Sequence, residues 1–172
     1  MAREIKGREE IEIAAPREDV YAFRLDCLNL PRLNPAVRNV VRVDGGAGPP
    51  GAGSIFACDV DLEWGECVAT VHITEAEFPS RIVLHMETAL RSRRDDPDVR
   101  VRSNEVAKFS VGRNGATRID VELTLFPADS VPAEQLAVME ANAGAPIKVE
   151  LAAMKLALED RPEKREERNV EA

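Results

Sequence analysis

Hydrophobic and polar residues alternate over several stretches of the chain, and each such stretch predicts a β-strand. Successive side chains of a strand point to opposite faces of a sheet, so an alternating stretch has one face to bury. Stretches rich in Gly, Pro, Asn or Asp separate several of these strands. The predicted strands lie within 9–15, 37–46, 79–89, 99–111 and 116–126, and a hairpin is predicted across 54–78 with its turn near Glu63, Trp64 and Gly65.

The connections between the later strands predict an antiparallel sheet. Asn114 and Gly115 separate two of the strands, and both residue types tolerate the positive φ angles of a tight hairpin turn. Consecutive strands joined by tight turns pair as an antiparallel meander. The segment 45–53, which is rich in Gly and Pro, predicts an irregular connection earlier in the chain.

Two short helices are predicted between the first and second strands. In 15–26, Pro16 suits the first helical position, where an amide N–H is not needed, and acidic residues follow it in the first turn. The stripe of this helix that we expect to be buried contains Val20 and Phe23. The next segment, 27–37, is interrupted by two prolines and predicts a shorter helical piece.

A long helix is predicted near the end of the chain, with Ser130 as its N-cap. Gly144 and Pro146 lie in its middle, but the apolar residues on both sides recur every three or four positions in a single phase. We therefore expect one helix with a kink where Pro146 removes a hydrogen bond. Its apolar stripe, which needs a curved sheet as its partner, consists of Leu136, Met139, Ala143, Ile147, Leu151, Met154 and Leu158.

Strand alternation also predicts which side chains face that helix. In 99–111 the inward row ends at Val111 and is apolar except for Ser103 and Glu105. Both histidines of the chain, His72 and His85, fall on the outward face. This placement argues against an interior active site built on histidine.

Glu105 is the candidate catalytic residue. A carboxyl group that faces an apolar interior has a raised pKa because burial penalises its charge, so it can exchange protons near neutral pH. Three other interpretations stay open. Glu105 lies near an open end of the sheet, it pairs with an arginine, or a bulge at Ser103 and Asn104 turns it outward.

Composition narrows the classes of partner. Hydrophobic residues make up 44% and charged residues 31% of the 172 residues, which is the balance of an ordinary globular domain. The net charge of −8 argues against nucleic acid, whose phosphates need a basic surface. No stretch approaches the length of a membrane span, and the charged start of the chain is unlike a signal peptide. We therefore expect a cytoplasmic protein without membrane insertion.

No motif for metal or cofactor chemistry is present in the sequence. The cysteines Cys27, Cys58 and Cys67 lack zinc-ligand spacing and are too few for a disulfide framework. There is no phosphate-binding loop, dinucleotide fingerprint or Gly-x-Ser-x-Gly motif. We predict no cofactor and no metal, and the simplest interpretation of Cys58 and Cys67 is that they are small buried core residues.

The order of these elements resembles the START-like, or SRPBCC, helix-grip superfamily, and within it the polyketide cyclase/dehydrase-like subgroup. The resemblance is carried by "IEIAAPREDVYAFRLD" at the first strand and helix, "ECVATVHITEAEFPSRIVLHME" across the middle strands and "AAMKLALED" near the end of the last helix. It covers residues 8–160 and is a pattern of the whole chain rather than a sharp motif. One departure is Leu33, where many relatives have a Trp that packs near the cavity.

The resemblance implies an α+β helix-grip fold, in which a curved antiparallel sheet wraps around a long C-terminal helix and two short helices follow the first strand. We expect a single ligand-binding domain over 1–160 and a charged, disordered tail over 161–172. Relatives hold lipids, sterols, hormones or polyketides in a cavity between sheet and helix. The residues predicted to line such a cavity here are Cys58, Trp64, Cys67, Met86, Thr88, Ser103, Glu105, Phe109, Met139 and Ala143.

Three functions are compatible with the sequence. The first is binding of a small hydrophobic molecule, such as a lipid or polyketide, in the cavity. The second is a polyketide cyclase/dehydratase-type enzyme in which Glu105 acts as acid or base. The third is a protein-interaction module with a collapsed cavity. Dimerisation is common among proteins of this kind, but nothing in the sequence requires a homodimer.

Overall fold

The computed structural model describes residues 3–62, 65–91 and 100–160, which form a seven-stranded sheet and four α-helices. The strands are β1 (Ile5–Ile13), β2 (Val37–Arg42), β3 (Ile55–Leu62), β4 (Gly65–Glu77), β5 (Arg81–Leu90), β6 (Arg100–Val111) and β7 (Thr117–Pro127). The helices are α1 (Arg17–Leu25), α2 (Leu30–Leu33), α3 (Ala133–Ala141) and α4 (Ala145–Glu159), and a 3₁₀ turn at Cys27–Asn29 precedes α2. The predicted tail, 161–172, lies outside the described residues.

The sheet is an antiparallel meander whose first strand returns to the last one. Its spatial order is β1-β7-β6-β5-β4-β3-β2, with antiparallel neighbours throughout. Asn114 and Gly115 have φ angles of 52° and 75° in the turn between β6 and β7, as the predicted hairpin requires. The sheet is curved and holds the C-terminal helical segment, so the predicted α+β helix-grip architecture is confirmed.

The buried face of helix α1 is shifted from the predicted one toward Tyr21 and Arg24. Val20 is buried as expected, but Phe23 is only partly buried, whereas Tyr21 and Arg24 are buried. The ring of Tyr21 packs edge-on against Phe109 of β6, with the ring centroids 5.3 Å apart. This aromatic contact fixes the rotation of α1 about its axis, and the same rotation points Arg24 into the protein.

The helical segment at the end of the described chain is interrupted. The sequence predicts one helix kinked at Pro146, whereas α3 and α4 are separated by a turn at Asn142, Ala143 and Gly144. Pro146 lies in the first turn of α4, where its missing N–H leaves no hydrogen bond unmade. The N-cap of α3 is Pro132, two residues after the predicted Ser130.

The apolar stripe nevertheless keeps its phase across that turn. On α4 its members Ile147, Leu151, Met154 and Leu158 are buried in the main core. On α3, Leu136 and Met139 are only partly buried and pack against a separate small cluster around Val101 and Val131. The sheet therefore grips α4, and α3 covers a different part of it. None of the helices within the described residues has the length and hydrophobicity needed to span a membrane.

Gly7 of β1 lets the interrupted segment approach the sheet closely. A Cβ atom at this position would lie 2.6 Å from the carbonyl oxygen of Ala143 and 2.9 Å from the amide nitrogen of Gly144. Both of these atoms belong to the backbone, so a side chain at Gly7 would fit only if the turn moved away from β1. Gly7 therefore sets the distance between the edge strand and the turn.

Candidate functional site

The inward face of the sheet is packed tightly at one end and partly exposed at the other. The packed end contains apolar side chains that are almost completely buried, among them Ile73, Ile82, Ile119 and Phe109. Toward the other end, inward side chains on the strands and on α3 keep part of their surface exposed. We call this region the open end, and it consists of Val60, Leu62, Met86, Thr88, Leu90, Leu125, Leu136 and Met139.

A buried ionic cluster lies on the packed side of that region. Arg24 of α1 donates from Nη2 to Oε1 of Glu105 on β6 at 2.5 Å, and from Nη1 to Oε2 of Glu150 on α4 at 2.8 Å. Asn34 donates from Nδ2 to the other oxygen of Glu150 at 3.1 Å. The cluster thus links α1, the sheet and α4, and we call Arg24, Glu105 and Glu150 the buried triad.

The burial of the triad decides its electrostatics. The side chains of Arg24 and Glu105 are 3% and 6% exposed, and that of Glu150 is 13% exposed. Burial raises the pKa of Glu105; the Arg24 guanidinium opposes this and the nearby Glu150 carboxylate adds to it, so the pKa remains above its ordinary value. Burial lowers the pKa of Arg24, but the two carboxylates outweigh this and raise it. Arg24 therefore stays charged.

Two of the three open interpretations of Glu105 are decided by this geometry. Glu105 faces the interior, with Leu84 and Leu123 opposite it on the neighbouring strands in unbroken register. The alternative of a bulge at Ser103 and Asn104 that turns Glu105 outward is therefore wrong. The alternative of an arginine partner is correct, because Arg24 is that partner.

The three cysteines are buried thiols. The pKa of Cys27 is raised to about 12, mainly by burial; Arg24 opposes this rise, and Glu105 and Asp26 add to it. Burial likewise raises the pKa of Cys58 and of Cys67 to about 11. All three cysteines are free, and a thiol with such a pKa stays protonated and unreactive near neutral pH.

The structure brings together some of the residues predicted to line a cavity. Met86 and Ser103 are paired across β5 and β6, and Thr88 follows on the same face, where it pairs with Ala69 and Val101. Glu105 lies one inward position from Ser103, toward the packed end. Ser103 is buried, whereas Met86 and Thr88 are partly exposed. These residues form one continuous strip that runs from the open end to the buried triad.

Other predicted residues lie apart from that strip. Phe109 packs against Tyr21 at the packed end, and Cys58 belongs to a small cluster with Val37 and Ala69. Cys67 is buried and pairs with Val60 and Leu90 across the neighbouring strands.

On the helical side, Met139 lies on α3 at the open end, packed against the cluster around Val101. Ala143 is buried in the turn beside Gly7. Trp64 lies outside the described residues. Of the predicted inward row of β6, Val111 is 73% exposed, and it is the last residue of the strand.

Sequence reasoning missed three members of the site: Arg24, Asn34 and Glu150. A signal for Glu150 existed, because it lies three residues after Ile147 and four before Met154, at the border of the apolar stripe of α4. Arg24 similarly follows Val20 by four residues on the amphipathic helix α1. A charged residue at a core spacing on each of two helices, together with Glu105, indicates a buried ion pair.

The outward face carries both histidines, as predicted. His72 is exposed, and Nδ1 of His85 lies 2.8 Å from Oδ1 of Asn104. A shallow recess of about 250 Å³ lies there and is lined by His85, Arg102, Asn104 and Phe126. Across the parts of the chain that the structure describes, no three His, Cys, Asp or Glu side chains are grouped to hold a metal ion.

No family model and no curated protein matches the chain. Solved structures match it over most of its length. A START superfamily protein from Mycobacterium smegmatis is 16% identical, with a TM-score of 0.59 over 90% of this chain and 97% of that one. A conserved protein from Geobacillus kaustophilus is 13% identical, with a TM-score of 0.71 over 90% of this chain and 95% of that one.

A third similar structure is the di-domain ARO/CYC StfQ from the steffimycin biosynthetic pathway. It is 13% identical, with a TM-score of 0.62, and the match covers 92% of this chain but 52% of that one. At such identities the likeness shows the fold alone. The chain has the START-like helix-grip fold, as the sequence resemblance implied.

Proposed function

We propose that the chain binds a small hydrophobic molecule at the open end, between α3, α4 and the inward face of the sheet. The observation that carries this proposal is the partial exposure of inward side chains there, from Met86 and Thr88 on β5 to Leu136 and Met139 on α3. Inward side chains of the same strands are almost fully buried farther along. The packed end therefore separates the exposure at the open end from that of Val111 at the far end of β6.

Hydrophobic burial supplies the driving force for this binding. Removing apolar surface from water contributes about 25 cal/mol per Å², so a ligand that covers about 200 Å² of the open end would gain about 5 kcal/mol before the entropic costs of association. The buried triad supplies charged groups at the inner side of the same region. A mostly apolar site with a few polar groups is the usual chemistry of a small-molecule site.

Two of the similar solved structures support the proposal. One is a START superfamily protein, and another is a di-domain ARO/CYC from a biosynthetic pathway. Both share the arrangement of a sheet around a helix with this chain. As part of the proposal, we infer that this chain functions like START and ARO/CYC proteins. The class of molecule that we propose is a lipid or polyketide-like compound.

A matched pair of substitutions on β5 tests the site. Thr88 faces inward at the open end, and Glu87 beside it is exposed on the outward face. Thr88→Phe fills the open end, so we expect the affinity for the neutral dye N-phenyl-1-naphthylamine to fall by about tenfold or more. Glu87→Phe adds the same ring outside the site and is expected to leave the affinity within about twofold of wild type. Fluorescence titration of the dye measures both.

The outcome that contradicts the site is specific. If wild type binds the dye and both variants bind it equally well, the molecule is held elsewhere, for example on the outward face. If wild type does not bind the dye at all, the proposal of a hydrophobic ligand site fails. Circular dichroism of the two variants excludes unfolding as the cause of any loss.

An enzyme of the cyclase/dehydratase type is the second candidate, and one observation favours it. Glu105 is buried beside a second carboxylate, and its pKa is raised, which are properties of a general acid or base. Against this, Oε1 of Glu105 accepts a hydrogen bond from Arg24 at 2.5 Å. A linear polyketone that cyclises with wild type but not with Glu105→Gln would favour the enzyme over the binding protein.

A protein-interaction surface is the third candidate. The face of α4 opposite its buried stripe is also apolar, and Val149 and Leu156 are 49% and 67% exposed on it. They lie seven residues apart and so share one side of the helix. A homodimer that covers this face is compatible with the binding proposal. Analytical ultracentrifugation tests it by comparing the ratio of monomer to dimer in Leu156→Glu and in wild type.

A further inference from the structure

The buried triad holds two acidic groups and one basic group. Arg24 provides a single positive charge, and both Glu105 and Glu150 are bonded to it. Asn34, the other partner of Glu150, is neutral. The triad therefore either carries an excess negative charge or retains one proton on a carboxyl group, and in neither state does it have an unpaired cation.

Arg24 also has one guanidinium nitrogen that makes no hydrogen bond in the triad. Its Nη1 and Nη2 groups donate to the carboxylates, but Nε is buried and has no hydrogen-bond partner among the described residues. A buried donor without an acceptor costs about 1–3 kcal/mol, so most such groups in folded proteins have a partner. An oxygen atom with a free lone pair would satisfy Nε.

We infer that the polar group of the bound molecule is a neutral oxygen acceptor, such as a ketone or ester carbonyl or a hydroxyl, which takes the hydrogen bond of Arg24 Nε. This inference rests on the proposed ligand site and names the class of molecule that the site accepts. Carboxylates are excluded because they would meet Glu105 and Glu150 in a region of low dielectric. Fatty acid anions are thus not the ligands.

The location of the triad supports this assignment. Glu105 lies one inward position from Ser103, which pairs with Met86 at the open end. A molecule with its apolar body over Met86 and Thr88 has to extend past the buried Ser103 to bring its end to the triad. Like-charge contact inside a protein costs more than in water, because the interior screens charge poorly.

Three probes of similar length separate the relevant chemistries: tridecan-2-one, 1-tridecene and dodecanoate. A purely apolar cavity prefers the alkene, an anion site prefers dodecanoate, and the inferred site prefers the ketone. We expect the ketone to displace N-phenyl-1-naphthylamine from wild type at concentrations about fivefold lower than the alkene and about 30-fold lower than dodecanoate, at about pH 8 where the fatty acid is ionised.

Charge substitutions then test whether the triad causes the preference for the ketone over dodecanoate. Glu150→Gln removes one negative charge and is expected to raise the affinity for dodecanoate relative to that for the ketone by about tenfold. Glu134→Gln is the matched control, because it makes the same change on an exposed position of α3 and is expected to affect neither probe. If Glu150→Gln does not fold, Glu105→Gln makes the same charge change in the triad.

Different results overturn different claims. If wild type binds the dye but the alkene or dodecanoate displaces it as well as the ketone does, the inference about the polar group is wrong and the ligand site stands. The inference is also wrong if the triad variants gain no affinity for dodecanoate relative to that for the ketone. If wild type does not bind the dye, the proposed ligand site fails and the inference fails with it.

Discussion

Arg24→Met is expected to lower the free energy of unfolding by about 3–5 kcal/mol near neutral pH. The substitution keeps a long side chain but leaves Glu105 and Glu150 buried close together without their shared cation. Two buried carboxylates repel each other and have lost the water that would solvate them. Urea unfolding at about pH 8 measures the loss.

The loss is expected to depend on pH in a defined direction. The pKa of Glu105 is raised in the folded protein, so its contribution to stability is fully present below its unfolded pKa and is lost as pH rises through the folded value. Removal of Arg24 raises the pKa of Glu105 further, because the cation that favoured its charged form is gone. The destabilisation by Arg24→Met is therefore expected to be smaller at about pH 5 than at about pH 8.

Two further variants separate charge from packing. The triple variant Arg24→Met, Glu105→Gln, Glu150→Gln removes all three charges and is expected to recover at least about 2 kcal/mol. Arg8→Met breaks a 2.5 Å ion pair with Asp120 on the exposed face of the sheet and is expected to change stability little, because exposed pairs contribute little. An unfolding free energy that Arg24→Met leaves unchanged would show that the triad is not a buried ionic cluster.

Gly7→Val is expected to lower the free energy of unfolding by about 3 kcal/mol. Valine has a higher intrinsic preference for β-strands than glycine has. The expected loss of stability must therefore come from the surroundings of Gly7. Those surroundings are the carbonyl oxygen of Ala143 and the amide nitrogen of Gly144, which lie 2.6 Å and 2.9 Å from the position of the new Cβ. Thermal and urea unfolding measure the change.

The control for this substitution lies next to it on the same strand. Lys6→Val places the same side chain on the exposed face of β1, where we expect no loss of stability. Equal stability of Gly7→Val and wild type would mean that the turn between α3 and α4 does not approach β1 as closely as described. The position of α3 over the open end would then differ from the one described.

Local signals explain the parts of the fold that the sequence predicts well. The positive φ angles of Asn114 and Gly115 are a property of these two residues, so the hairpin could be predicted from them alone. Alternation in β6 predicts that Ser103 and Glu105 face inward because the side-chain period of a strand is two. These features depend on neighbours in sequence, and no tertiary contact overrides them.

The parts that could not be predicted depend on contacts between distant segments. Arg24 points inward because Tyr21 packs against Phe109 on another element, and its carboxylate partners lie 81 and 126 residues later in the chain. The break between α3 and α4 likewise reflects the approach of the turn to Gly7. An apolar stripe with unbroken periodicity is equally compatible with one helix and with two consecutive helices whose apolar faces are aligned.

Native mass spectrometry of the protein with tridecan-2-one tests the central claim most directly, because it counts bound molecules. The binding site that we propose predicts one bound ketone on wild type and on Glu87→Phe, and binding weakened by about tenfold or more on Thr88→Phe. A small apolar molecule that copurifies with wild type and is released on unfolding would agree with this result. A wild-type protein that binds no ketone after removal of any copurified molecule, or a Thr88→Phe variant that binds it as well as wild type does, would contradict the account.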